Sequence, residues 1–336
     1  MRTLFRFFLL ALLALLTVLA LAGGWLWQWA HQPIKIYSNP VDFRIVAGSG
    51  LRSACIQMRE SGIEIDPNLL TLLARIQRAE TGIKAGSYVI SAGETPLALL
   101  DKLVRGKVTQ GELTLPEGWT LRQWRARMDS NPDLRHETRG LSESEIAQRI
   151  GLDPGSRLEG RLFPDTYLFD KQSSDLELLA RAQRVMKRRL EEVWAQRDQG
   201  LPYRHAQDAL IMASIIEKET GKESDRKYVA AVFINRLRKG MLLQTDPTVI
   251  YGLGEAFDGN LRKRDLQSDT PYNTYTRPGL PPTPIAMPGL ASIRAALTPA
   301  NSDVLYFVAR GDGSSEFSRT LDEHNRAVNK YQRGGK

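Results

Sequence analysis

The sequence predicts a mixed α+β protein carried on a single N-terminal transmembrane helix, with a small α+β module ahead of a larger α+β domain that has a helical core. Three observations carry that expectation. An uncharged apolar run extends from Phe7 to Trp27; short extended pieces alternate with small helices over 41–108; and the remainder is longer, largely helical, and organised around Leu210–Tyr251. The expected divisions are a short end (1–6), an anchor (7–29), a connector (30–40), the module (41–108) and the larger domain (109–336).

The apolar run is dominated by Leu and Ala and is long enough to cross a hydrocarbon core as a helix, with Trp25, Trp27 and Trp29 where an interfacial aromatic belt belongs. A cleavable signal peptide is the rival reading, because Ala20-Leu21-Ala22 before Gly23 fits a small-residue cleavage site. The apolar run continues past that site through Trp25 and Leu26, which favours an anchor that is kept. Arg2 and Arg6 before the span are balanced by Lys35 and Arg44 after it, so charge alone sets no orientation.

Pro33 and Pro40 mark the connector. In the module, Thr95 reads as an N-cap and Pro96 as a first helical residue, where a missing N–H costs nothing. Leu97, Leu99, Leu100 and Leu103 then repeat at core-facing spacing. From Gly111 the pattern GELTLPEGWTLRQWRARM gives a strand, a turn and a helix, and Leu158–Phe169 (LEGRLFPDTYLF) reads as an ordered loop on its Gly, Pro and Asp. Leu176 to Arg197 is a basic amphipathic helix. Gly252 to Met287 is a long irregular segment whose tyrosines argue against disorder, and the tail closes with a strand at Val304–Ala309, a turn at Gly311–Gly313 and a helix from about Leu321.

Composition narrows the chemistry. The 336 residues are 42% apolar and 25% charged, as in an ordinary folded protein, and the net charge of +8 (46 basic, 38 acidic) suits an anionic partner or a solvated basic surface. One cysteine, Cys55, excludes an intramolecular disulfide and any CxxC site. His31, His136, His205 and His324 form no metal-binding spacing, and no GxSxG elbow or P-loop occurs, so no metal and no cofactor are expected. Nucleic acid is an unsuited partner, since no basic run is interleaved with aromatics.

The stretch Leu210–Tyr251 begins as an apolar helix and ends in Glu217, Glu219 and Glu223 before a second helical pattern opens near Asp225. On a helix, Glu219 shares a face with Ile216, Ile215 and Met212, whereas Glu217 shares one with Ser214, Ala213 and Leu210. A carboxyl held against Ile and Met loses hydration of its charged form, so it stays protonated to higher pH, as a general acid must. The alternative is that both are solvated residues of a last helical turn stopped by Gly221.

Taken together, LEGRLFPDTYLF, ASIIEKET, VFINRLRKGMLLQTDPTVIYGLG and DTPYNTYTRPGLPPTPI resemble the YceG-like family, the MltG endolytic murein transglycosylases, in the family's order and over nearly everything after the anchor. The resemblance implies a cytoplasmic N-terminus, one span of the bacterial inner membrane, a LysM-like module and a periplasmic catalytic domain. It also implies cleavage of the MurNAc-GlcNAc bond in peptidoglycan glycan strands to give 1,6-anhydro-MurNAc ends, ending strand elongation beside the inner-membrane peptidoglycan synthases. By alignment of EKET the catalytic glutamate is Glu219, with Glu217 the fallback.

One carboxyl group suffices for that chemistry. It protonates the leaving oxygen and then takes the proton of the muramyl 6-hydroxyl as that oxygen attacks the anomeric carbon, dispensing with the second carboxylate of ordinary glycosidases. Gln244, Asp246 and Thr248 in LQTDPT, Tyr272, Asn273 and Tyr275 in YNTY, and Glu159 in LEGRLFP are the substrate-binding candidates; each has an alternative task in tying down its own loop. Two rivals stand beside this reading: a muramidase using Glu219 with Asp246 or Glu223, and a non-catalytic wall-binding protein.

Overall fold

The computed structural model of the chain describes residues 2–37, 39–79 and 82–334, with side chains described from Leu9 onward. Contacts divide it into two units, Met1–Glu112 with Leu168–Ser173, and Leu113–Tyr167 with Ser174–Lys336.

The first unit begins with α1 (Arg2–His31), and the 23 residues Leu9–His31 are long and apolar enough to cross a membrane. Trp25 and Trp27 are exposed, but Trp29 packs with Ala30 against the unit's core, so the last turn of α1 is a folded element rather than part of an interfacial belt. The stretch read as a connector contains β1 (Lys35–Ile36). There follow β2 (Val41–Ile45), α2 (Leu51–Glu60), β3 (Ile63–Glu64), α3 (Pro67–Ile76), β4 (Gly86–Ile90) and α4 (Pro96–Arg105). Strand β1 pairs antiparallel with β3, and β2 with β4 in the register Val41↔Ile90 to Ile45↔Gly86.

Alternation in β2 turns Val41, Phe43 and Ile45 inward, where Phe43 stacks on Tyr88 with centroids 5.7 Å apart. Thr95 caps α4 by accepting from the amide of Ala98, and Leu99, Leu100 and Leu103 enter the core as their spacing predicts. Cys55 is fully buried and its thiol is pushed up to about 11 by that burial, so it is a core residue without thiolate reactivity.

The chain crosses to the second unit within β5 (Gln110–Leu115), continues through α5 (Leu121–Asp129), β6 (Leu134–Arg135) and α6 (Glu143–Arg149), and returns to the first unit for Leu168–Ser173, within β7 (Asp165–Asp170) and the start of β8 (Ser173–Ser174). Asp165–Phe169 is therefore strand where an ordered loop was expected: Tyr167 and Phe169 are buried alternately, a pattern that outweighs the loop signal of the preceding Gly and Pro. Helices α7 (Asp175–Ala195), α8 (Ala206–Glu219), α9 (Glu223–Arg238), α10 (Asp246–Leu253), α11 (Lys263–Gln267) and α12 (Leu290–Leu297) follow, then the antiparallel pair β9 (Tyr306–Ala309) and β10 (Ser315–Ser318), and α13 (Leu321–Tyr331).

Helix α8 is the axis of this unit. Every residue from Ala209 to Ile216 is buried, packed among Met186 and Val193 of α7, Val229 to Ile234 of α9 and Ile293 to Leu297 of α12. A helix apolar on all sides must be surrounded, and that fixes where its C-terminal carboxylates emerge. The one polar group in its middle, Ser214, donates to Ile211 O and accepts from the amide of Ile285, which ties the loop before α12 to α8.

Gly160 tests how tightly the loop beside α12 is held. It has φ +74° and a Cβ there would run into Pro284, whereas Gly200 has φ +71° with open space around it. Gly200→Ala should lose about 1–2 kcal/mol, the left-handed penalty alone. Gly160→Ala should lose clearly more in chemical denaturation, and equal losses would show that Pro284 yields freely.

Candidate active site

Glu219 is the last residue of α8, half-buried, and accepts a hydrogen bond from the hydroxyl of Thr245. Burial pushes its carboxyl well above the ordinary range and the charge of Asp246 pushes it further, while the Thr245 hydroxyl and the Arg236 guanidinium pull against them. The net direction is up, towards a carboxyl that keeps its proton. Asp246 is exposed and accepts from Tyr275 Oη at 2.5 Å, so Glu219, Thr245, Asp246 and Tyr275 form one polar cluster.

Two devices hold Thr245 in place. Its amide donates to Thr274 Oγ1 at 3.1 Å while Gln244 N donates to Thr274 O at 3.1 Å. Buried Arg236 bonds Leu243 O at 2.9 Å and Leu305 O at 2.8 Å, fixing the approach to that segment. Gln244 itself is exposed at φ +50°, a left-handed conformation that a non-glycine residue adopts at a cost of about 1–2 kcal/mol, and such strain collects beside functional groups.

The other expected residues fall into two sets. Thr248 and Asn273 are buried in the frame: Thr248 Oγ1 bonds Thr245 O at 2.8 Å and Thr274 Oγ1 at 2.9 Å, and Asn273 Nδ2 donates to Leu266 O and Ser268 O at 3.0 and 2.7 Å. Glu159 and Tyr272 instead line a cleft of about 780 Å³, along with Lys218, Pro247 and Tyr251. Lys218 and Pro247 are the chain neighbours of Glu219 and Asp246, so α8 and α10 each present one residue to the cleft and the next to the polar cluster.

Glu159 is 6% exposed, and both its carboxyl oxygens accept from the amide of Leu121, the first residue of α5, at 3.1 Å. Oε2 also accepts from Tyr251 Oη at 3.2 Å. Burial nevertheless dominates and lifts this carboxyl to about 7, against the pull of those hydrogen bonds.

Glu217, two residues before Glu219, accepts from the amide of Gly289 at the N-terminus of α12 at 3.0 Å. Glu117 closes over the same glycine, where a Cβ would collide with its carboxyl, and burial with the charge of Glu217 raises Glu117 above its ordinary range. Thr245, Arg236 and Tyr251 were not singled out from the sequence; an arginine inside the apolar run VFINRL and the threonine in LQTDPT were the available signals. Side-chain atoms of Asp129, His136 and Asp175 lie within 4.8 Å of one another despite the distant spacing of their residues. The oxygens of Asp175 already accept from Glu137 N, Thr138 N and Thr138 Oγ1, at 3.0, 3.2 and 2.5 Å, which is a loop-capping arrangement.

The YceG-like family matches residues 43–330, and the chain belongs to that family. It is 32% identical over 314 residues to a Bacillus subtilis protein named endolytic murein transglycosylase, covering 88% of this chain and 86% of that one. It is 29% identical over 366 residues to a Streptococcus pneumoniae protein of the same name, covering 96% of this chain and 64% of the longer relative. A crystal structure of a YceG-like protein from Listeria monocytogenes superposes with a TM-score of 0.53 at 30% identity, covering 86% of this chain and 98% of the other.

Because Glu159 titrates above its ordinary 4.5, ionising it in the fold is uphill: the penalty is absent below about pH 4.5, grows as pH rises and is complete above about pH 7. Glu159→Gln keeps an acceptor for Leu121 and has no such titration. Its stability relative to the parent should therefore rise from pH 5 to pH 8, by at most about 3 kcal/mol at 1.36 kcal/mol per pKa unit. Urea unfolding at the two pH values measures this, and a pH-independent difference would contradict it.

Proposed function

We propose that this chain is a lytic transglycosylase that cuts murein glycan strands internally at the MurNAc-GlcNAc bond, with Glu219 as its single acid and base, leaving 1,6-anhydro-MurNAc ends. The observation that carries the proposal is the desolvated Glu219 carboxyl under the Thr245 hydroxyl, a proton donor at the end of a rigid buried helix. The relatives named endolytic murein transglycosylase supply the substrate.

In this reading Glu219 protonates the glycosidic oxygen, and its carboxylate then removes the proton of the muramyl 6-hydroxyl as that oxygen closes on the anomeric carbon. The nucleophile comes from the substrate, so proximity supplies part of the rate. Asp246, Tyr275 and Gln244 surround the reacting carbons, with the Asp246 charge facing the developing oxocarbenium ion. Thr248 and Asn273 support substrate binding by shaping the loops, while Tyr272 and Glu159 act from the cleft. Glu217, engaged with Gly289, is the less suited acid.

The antiparallel pairing of β2 with β4 around α2 and α3, with the short β3 between the two helices, supports a LysM-like module in the first unit, and α1 supports a single-pass inner-membrane anchor with a cytoplasmic N-terminus and a periplasmic catalytic domain. That placement would bring the enzyme to nascent strands beside the peptidoglycan synthases, where cleavage ends elongation.

Glu219→Gln should lower the rate of murein cleavage by at least about 10²-fold, the usual contribution of a positioned acid-base group. Mass spectrometry of the products separates an anhydro end from a hydrolysed reducing end by one water; a reducing end would assign a muramidase, and unchanged cleavage by the variant would remove Glu219 from the chemistry. Thr245→Val removes a donor that holds the Glu219 carboxyl down. Its proton is then kept to higher pH, so the basic limb of the pH-rate profile should move up; a limb that stays in place or moves down would contradict the assignment.

A further inference from the structure

Tyr251 and Tyr272 meet nearly edge to face, with centroids 4.9 Å apart and an interplanar angle of 62°, and together they form a corner in the 780 Å³ cleft. The corner is braced at both ends. Tyr251 Oη donates to Glu159, which is anchored on the first amide of α5, and Tyr272 Oη bonds Thr283 Oγ1 at 2.8 Å. Phe257 and Ile250 extend the apolar wall, and the polar groups beside it are Glu159, Gln123 and Thr120.

Such a surface is complementary to a ring with one apolar C–H face and a rim of hydroxyl and amide groups. The basic groups at the cleft are engaged with the protein itself. Arg122, the nearest guanidinium, is paired with Glu255 at 2.9 Å, and Lys218 Nζ donates to Gly118 O at 3.2 Å. The carboxyl of Glu159 lies in the lining as a hydrogen-bond acceptor, already holding Leu121 N and Tyr251 Oη. A saccharide suits that lining: its C–H face covers the tyrosines, and its hydroxyls and acetamide can donate to Glu159 and exchange hydrogen bonds with Gln123.

We propose that this cleft is a saccharide subsite, separate from the polar cluster at Glu219, that seats an N-acetylated pyranose ring of the glycan strand against Tyr251 and Tyr272. The proposal deepens the murein-cleaving reading, on which the identity of the strand rests. Helices α8 and α10 lead from the subsite to the reacting cluster through consecutive residues, Lys218 to Glu219 and Pro247 to Asp246, so a sugar held here positions the chain that runs on to the acid. Grip on a ring away from the scissile bond also suits cutting within a strand.

The test uses the full chain in detergent micelles and tri-N-acetylchitotriose as the probe, with binding read by saturation-transfer NMR and by titration calorimetry. Tyr272→Ala should weaken binding at least tenfold. Ile250→Trp, which fills the cleft without removing either tyrosine, should weaken it similarly, and thermal melting establishes that each variant is folded. Glu219→Gln should bind the probe as the parent does. On murein, Tyr272→Ala should raise KM more than it lowers kcat. Chitotriose binding that survives both cleft variants, or that is lost in folded Glu219→Gln, would overturn the subsite while leaving the catalytic assignment standing. Undiminished cleavage by Glu219→Gln would instead sink the catalytic reading, and cleft-dependent chitotriose binding would still stand.

Discussion

Arg236 is the constraint on which the site depends. It is 9% exposed in a helix whose preceding turns, Val229 to Ile234, are buried and apolar, and a guanidinium there must find acceptors or unfold its surroundings. It finds them in backbone carbonyls: Leu305 O at the edge of the β9-β10 pair, and Leu243 O just ahead of Thr245. One buried charge thereby joins α9, the C-terminal hairpin and the segment that delivers the Thr245 hydroxyl to Glu219. Loss of those bonds would free three elements together, because a buried guanidinium without its carbonyls is far costlier than an ordinary broken hydrogen bond.

The two glutamates at the end of α8 illustrate how position along a buried helix sorts chemically identical groups. Residues 209 to 216 are buried on every side, so the apolar face behind Glu219 does not distinguish it from Glu217. What differs is the element each meets on leaving the core. Glu217 meets the amide of Gly289 at the N-terminus of α12 and is tied there by a hydrogen bond. Glu219 is desolvated by burial and faces the charge of Asp246, both of which disfavour its charge, with the single hydroxyl of Thr245 and the more distant Arg236 pulling the other way.

Local patterns made much of this legible in advance. The cap at Thr95-Pro96, the helix at Asp175–Ala195, the terminal helix at Leu321 and the carboxylates closing α8 all depend on residues within one or two turns of each other. Features built from distant parts of the chain were hidden. The strand Asp165–Asp170 is steadied at Thr166 by Thr114, Glu217 meets an amide at Gly289, and Arg236 reaches Leu305. Among the seven substrate-binding candidates, the sequence motifs LQTDPT and YNTY held both site and frame residues, and alternation of roles within a motif has no local signature: Asp246 and Tyr275 face each other, while Thr248 and Asn273 point into the loops that support them.

For the proposed mechanism, the cation near Glu219 must not be paired with it. An arginine in direct bidentate contact would hold the carboxyl down as a carboxylate at neutral pH and leave nothing to give to a departing sugar oxygen. Arg236 lowers the Glu219 carboxyl by its charge alone, while its Nε and Nη1 donate to Leu305 O and Leu243 O. Asp246 works in the opposite sense, and it accepts a hydrogen bond from Tyr275 Oη. Burial therefore raises the carboxyl while a positive charge stays close, and in the proposed mechanism that is the balance a single group alternating between acid and base requires.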